Sequence, residues 1–83
     1  MPNTLFLQVI RERFDNLTKS EKKIADYVLE NYMRVVDYNI AELSEYTQTS
    51  DASIIRFCRT FGCKGYQDFK MRLAREVVPT YKQ

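Results

Sequence analysis

The sequence contains no histidine and no tryptophan, and only two cysteines, two glycines and two prolines. Each scarcity excludes something. Without histidine there is no imidazole base and no imidazole metal ligand, and Cys58 and Cys63 stand five apart, unlike a CxxC redox or zinc spacing. Those two thiols read as buried or bystander groups, and no cofactor is expected. A Gly-rich phosphate loop is missing too, so an enzyme would have to work with Asp, Glu and Lys alone; we expect none. So few turn residues leave little room for a β-rich fold. No run approaches the roughly 18 apolar residues of a membrane span, and Met-Pro-Asn-Thr lacks the basic and apolar regions of a signal peptide. A cytoplasmic protein with no membrane partner is expected.

What remains is 83 residues, enough for one domain, with 45% hydrophobic side chains. A chain this short buries only about 60–65% of its unfolded surface, so each large apolar side chain matters and a partner subunit would help. The net charge is +2, but its distribution is uneven: +1 over residues 1–34, −3 over 35–50 and +4 over 51–83. From Arg56 to Arg75 there are six basic residues and one acid, Asp68. That run is either a solvated helical surface or the electrostatic footprint of a nucleic-acid partner.

The periodicity predicts an all-α fold, a compact bundle of about five helices with no β wing. Residues 4–14 carry a wide apolar stripe of Leu5, Phe6, Val9, Ile10 and Phe14, preceded by Pro2 and Asn3 and ended by Asp15-Asn16, with Leu17 anchoring the turn. Thr18-Lys-Ser-Glu21 is a capping box that starts a second helix, with Leu17 and Lys22 at the staple positions and Lys22 and Asp26 at i, i+4. Ile24, Ala25, Val28, Leu29 and Tyr32 line one face of that helix as far as about Asn31-Tyr32. Met33 to Tyr38 is then a packed connector, with a turn of 3₁₀ helix near Met33. A last helix spans Tyr66 to Val77 or Val78, with Tyr66, Phe69, Met71, Leu73 and Val77 apolar, and Pro79 stops it. Residues 1–78 form the expected domain, and 79–83 a tail or the start of a linker.

Between these lies the most informative stretch, Asn39 to Gly62. Asn39 and Glu42 resemble a capping box, and Ile40, Leu43, Tyr46 and Thr47 give a short helix its inward edge. Thr47-Gln-Thr-Ser50 is poor in helix formers, and Ser50 is a good N-cap. Ile54, Phe57, Cys58 and Phe61 then fall at i, i+3, i+4 and i+7, and Gly62 closes the helix where positive φ is wanted. Two short helices joined by a tight turn, the second carrying arginines off its apolar stripe, match a helix-turn-helix reader of the DNA major groove.

Ser50, Asp51, Ala52 and Ser53 form the first turn of that second helix. Ser50 serves either as a cap alone or also as a phosphate contact, and Ser53 either joins the N-terminal hydrogen-bond set or donates to a phosphate or base edge. Asp51 complements the helix dipole or accepts from a cytosine amino group, and Ala52 permits close approach to a thymine methyl. Ile55, Arg56 and Arg59 lie away from the core stripe. Arg56 is the first choice for DNA contact, against an ion pair with Glu42 or Glu45, and Arg59 meets the backbone. Lys64 and Lys70 are phosphate clamps or solvated lysines. Two half-sites per operator call for a homodimer, with contact through the first and last helices, and a palindromic operator in double-stranded DNA. A helical protein-interaction module without nucleic acid is the alternative function.

Taken in order, Leu17-Thr-Lys-Ser-Glu-Lys-Lys-Ile-Ala-Asp-Tyr-Val-Leu29, Ile40-Ala-Glu-Leu43, Ser50-Asp-Ala-Ser-Ile-Ile-Arg-Phe-Cys-Arg-Thr-Phe-Gly62 and Lys64-Gly-Tyr-Gln-Asp-Phe-Lys70 resemble the N-terminal domain of RpiR/MurR-type bacterial transcriptional regulators. The resemblance implies a DNA-binding domain that precedes a SIS-type phosphosugar-sensing domain, regulates sugar-catabolism genes and acts as a dimer or higher oligomer. No SIS domain fits within 83 residues, so any phosphosugar effector would act through a domain outside this sequence. Gln48 and Thr49 depart from the Gly and Val common at that turn, and Gln48 must bear a left-handed conformation at about 1 kcal/mol.

Overall fold

The computed structural model describes residues 5–77; the expected start at Pro2-Asn3, the Pro79 stop and the 79–83 tail lie outside them. Five α-helices follow one another: α1 Leu5–Arg13, α2 Lys19–Val35, α3 Ile40–Thr47, α4 Asp51–Thr60 and α5 Tyr66–Val77, with a 3₁₀ turn at Phe14–Asn16. No strand occurs among the described residues.

The helix starts follow their caps. Thr18 Oγ1 accepts the Glu21 N–H at 3.2 Å while Glu21 Oε1 accepts the Thr18 N–H at 2.9 Å. Asn39 and Glu42 make the same reciprocal pair, both bonds at 2.8 Å. Each box satisfies two of the N–H groups that a helix start leaves unpaired. At the staple position Lys22 holds its ammonium 5.8 Å from the centre of the Phe14 ring, not against Asp26.

Two boundaries differ from the sequence reading. The 3₁₀ turn lies at Phe14–Asn16, not near Met33, because Leu17, 8% exposed, draws the chain inward there. Helix α2 also runs on past Tyr32 to Val35, across a kink at Asn31 (φ −132°, ψ 28°). The Asn31 amide donates to the Tyr27 carbonyl at 3.2 Å, so the side chain substitutes for a backbone bond where the helix bends. The bend delivers Val35 into the core with no exposed surface and leaves Met33 at the surface.

Phe57, Phe69, Ile10, Ile24, Leu43 and Ile54 are fully buried at the centre. Phe69 of α5 meets Phe57 of α4 edge-on at 5.7 Å and Phe6 of α1 edge-on at 5.6 Å, so one ring joins three helices. Such pairs contribute about 0.5–1.5 kcal/mol each beyond burial. Leu7, absent from the predicted α1 stripe, is buried, and Leu5 is exposed. The buried Glu76 carboxylate on α5 reaches α1 and accepts the Leu7 N–H at 3.2 Å. Met71 on α5 and Tyr46 on α3, both expected inside, are 61% and 58% exposed. Tyr46 is nonetheless held: it stacks on Tyr38 at 5.0 Å and on Tyr27 at 5.8 Å, and the Tyr27 and Tyr38 hydroxyls lie 3.2 Å apart.

Candidate nucleic-acid interface

Helices α3 and α4 are joined by a turn that closes in two hydrogen bonds. The Thr49 N–H donates to the Ser44 carbonyl at 2.9 Å and the Gln48 N–H to the Glu45 carbonyl at 3.1 Å, with Gln48 left-handed (φ 57°, ψ 44°). This is the Schellman arrangement, which ordinarily favours glycine at the left-handed position. Thr49 is held by a hydroxyl bond: its Oγ1 lies 2.8 Å from Oγ1 of the buried Thr47, which also lies 2.8 Å from the Leu43 carbonyl it donates to. The other end of α4 repeats the pattern around Gly62 (φ 82°), with Cys63 N–H donating to the Cys58 carbonyl at 2.9 Å and Gly62 N–H to the Arg59 carbonyl at 3.0 Å.

Between these stops α4 is two-faced. Ile54, Phe57 and Cys58 are fully buried, followed by Phe61 at 6% exposure. Burial pushes the Cys58 thiol up to about 12, with Cys63 beside it adding to the shift. The opposite face presents Ala52, Ile55, Arg56 and Arg59 to solvent. Arg56 forms no ion pair with Glu42 or Glu45; its charge is felt by Glu21.

At the N-terminus of α4, Ser50 Oγ accepts the Ser53 N–H at 3.1 Å and lies 3.1 Å from Ser53 Oγ, to which it donates. Both hydroxyls are thus engaged in the cap. Asp51 and Ala52 are exposed beside them, with the Asp51 carboxylate in the first turn, where the helix dipole favours it.

The C-terminal end of α4 is fastened by three contacts from two residues, Glu21 and Arg13. Thr60 Oγ1 donates to Glu21 Oε2 at 2.7 Å, Arg13 Nη2 donates to the Thr60 carbonyl at 3.1 Å, and the Arg13 guanidinium lies 4.8 Å from the centre of the Phe61 ring. Burial pushes the Glu21 carboxyl up, yet the bonds from Thr18 and Thr60 and the Arg56 charge outweigh it and hold the group below its ordinary range. The charged form is therefore the one built into the fold.

Two open surface grooves include α4 side chains, the first lined by α4 alone. One, of about 450 Å³, is lined by Ala52, Ile55, Arg56, Arg59 and Thr60. The other, of about 460 Å³ between α4 and α5, includes Asn39, Ile55, Arg59, Lys64, Gln67 and Lys70 in its lining. Lys64 donates its backbone N–H to Asp68 at 2.9 Å, leaving its ammonium exposed, and Lys70 holds its ammonium 5.6 Å from the centre of the Tyr66 ring. Of the predicted residues, Ala52, Arg56 and Arg59 thus share one groove, and Arg59, Lys64 and Lys70 the other. Ser50, Asp51 and Ser53 stand at the end of the helix, outside both linings.

Ile55 forms a wall of each groove and was not among the predicted site residues; its position off the apolar stripe was the available signal. In the sequence Asn39 signals only a cap, and Gln67 carries no signal. Among the described residues, no group of three or more His, Cys, Asp or Glu side chains is placed to hold a metal ion, and no helix is long and apolar enough to cross a membrane.

The helix-turn-helix domain of the rpiR family matches residues 4–80. The chain is 52% identical over 68 residues to an HTH-type transcriptional regulator of Caldanaerobacter subterraneus subsp. tengcongensis, an alignment covering 82% of this chain and 24% of that protein. In structure it is similar to the Vibrio vulnificus NanR protein solved in complex with ManNAc-6P (TM-score 0.85, 40% identity, 87% of this chain and 28% of that one). It is also similar to the crystal structure of the N-terminal domain of ybbH from Bacillus subtilis (TM-score 0.83, 37% identity, 94% and 96%). The chain spans about a quarter of the length of the curated transcriptional regulators it matches. A profile match across nearly all its residues, with these likenesses in sequence and fold, shows that the chain belongs to the RpiR family of transcriptional regulators, as its helix-turn-helix domain.

Proposed function

We propose that the domain binds double-stranded DNA by laying the outer face of α4 in the major groove. The observation that carries this reading is the division of α4: one face is buried as Ile54, Phe57 and Cys58, while the other offers Ala52, Arg56 and Arg59 beside Lys64 and Lys70. Arg56 is the base or phosphate reader. Arg59, Lys64 and Lys70 neutralise the backbone along the second groove, where counterion release rewards each contact. Ser50, Asp51 and Ser53 approach the DNA at the entrance of the helix, with Ser50 and Ser53 working through the cap they share.

A homodimer reading a palindromic operator is the form we infer. It is supported by the groove of about 340 Å³ that α1 and α5 leave at the surface, with Phe6, Val9, Arg72 and Arg75 in its lining. In a longer protein this domain would be governed by a phosphosugar-binding domain; the support is the likeness to NanR, solved with ManNAc-6P. Genes of sugar or phosphosugar metabolism are then the targets, in the cytoplasm.

Selection of bound sequences from a random duplex pool tests the reading. A palindromic consensus is expected. Arg56→Ala should weaken binding to it by about 1–3 kcal/mol, and Lys70→Ala should flatten the log–log salt dependence by about 0.9. A pool that yields no enriched sequence, with retention that Arg56→Ala leaves unchanged, would favour the protein-interaction alternative.

A further inference from the structure

We infer that Ile55 is a specificity-determining residue, reading the C5-methyl group of a thymine in the major groove. The inference rests on the DNA-binding reading above. Ile55 is the one large apolar side chain on the outer face of α4, and it is 37% exposed. Ile54, Phe57 and Cys58 on the other face of α4 are fully buried, and Phe61 just past its end almost so, so the core did not lack apolar surface to draw on. Ile55 lines both grooves, with Arg56 and Arg59 in one and Arg59, Lys64 and Lys70 in the other.

A ligand seated there meets positive charge on both flanks and a branched hydrocarbon between them. Polyanionic duplex DNA fits that pattern, because its backbones flank the major groove and its only apolar feature on the groove floor is the thymine methyl. Ala52, one turn earlier at i−3, lines the same groove as Ile55 and Arg56. The pair forms a short apolar strip beside Arg56, which supplies the hydrogen-bonding partner for an adjacent base. A charged or polar residue at 55 would lose the distinction between thymine and cytosine edges that a methyl contact provides.

The test uses the 83-residue chain and its selected operator with uracil replacing each thymine in turn, which deletes only the methyl. One thymine in each half-site is expected to lose about fourfold in affinity on this change. That penalty should vanish in Ile55→Ala and persist in part in Ile55→Val. An intermolecular NOE between an Ile55 methyl and that thymine methyl in the wild-type complex supplies a readout that needs no variant. Penalties equal in wild type and Ile55→Ala, no sensitive thymine at all, or an NOE from another residue in place of Ile55 would overturn the inference while DNA binding stands. Absence of any selected operator would instead remove the reading on which it rests.

Discussion

The Thr60 hydroxyl donates to the Glu21 carboxylate at 2.7 Å, across thirty-nine residues of sequence. Glu21 is also half of the box that starts α2, so one carboxylate sets both the entry of α2 and the exit of α4. Thr60 Oγ1 lies within reach of the Arg56 carbonyl as well, at 2.9 Å, but it has a single proton to share between the two acceptors.

Glu21→Ala is therefore expected to destabilise by about 2–3 kcal/mol, since it leaves the Thr18 N–H without its partner and frees Thr60. Glu21→Gln, which keeps an acceptor for Thr18, should cost about 1 kcal/mol. The folded pKa of Glu21 is depressed, so its charged-state stabilisation is complete above the unfolded carboxylate value and fades as pH falls through the folded one. Urea titrations across acid pH should show Glu21→Gln losing less stability than wild type over that window. Parallel pH profiles would contradict this account.

Adjacent residues on α4 should behave oppositely. Phe57→Ala opens a cavity among Phe61, Phe69 and their neighbours and should cost about 3–5 kcal/mol, a large share of the stability of a small domain. Arg56→Ala truncates an exposed side chain, losing only the favourable charge it places near Glu21, and should stay within about 1 kcal/mol in thermal denaturation. Equal losses would mean that α4 is rotated from the orientation described.

Gln48 sits at φ 57°, where a side chain clashes with its own backbone and glycine does not. Gln48→Gly should stabilise by about 0.5–1 kcal/mol, after allowance for the greater freedom of glycine in the unfolded chain, and raise Tm by a few degrees. Gln48→Val should lower it. A drop in Tm for the glycine variant would show that the Gln48 side chain supplies a contact worth more than the strain.

Both thiols should be inert while the domain is folded. Burial holds Cys58 and Cys63 above their ordinary range, Cys58 at about 12, so thiolate is scarce at neutral pH. Ellman's reagent at pH 8 should react with neither at an appreciable rate in native buffer and with both in denaturant. Rapid native labelling would place at least one sulfur at the surface.

Much of the fold was legible because its decisive signals are local. Thr18 and Glu21, Asn39 and Glu42, and Ser50 and Ser53 cap over three residues, and the α4 stripe repeats within a helix of ten. What escaped depends on distant partners. Nothing near Glu21 or Glu76 in sequence says that a carboxylate will be buried; the Thr60 hydroxyl and the Leu7 N–H that donate to them lie on other helices. Leu5 and Leu7 are equally apolar, and only the approach of α5 decides which turns inward. The kink at Asn31 resembles a helix end in the sequence, because a side chain that competes for backbone bonds stops some helices and bends others. For the interface, the charged positions could be seen in the sequence, but their sorting into two grooves with Ile55 between them required the fold.

The stacked tyrosines of α2, α3 and the segment joining them carry a practical consequence. With no indole in the chain to dominate emission or absorb transferred excitation, near-ultraviolet dichroism and fluorescence report chiefly on phenol rings, and three of the six are in this one stack. The domain thus holds a label-free optical gauge at the seam where its reading unit joins the rest of the bundle. Any ligand that tilts α3 against α2 will register there without a dye being attached.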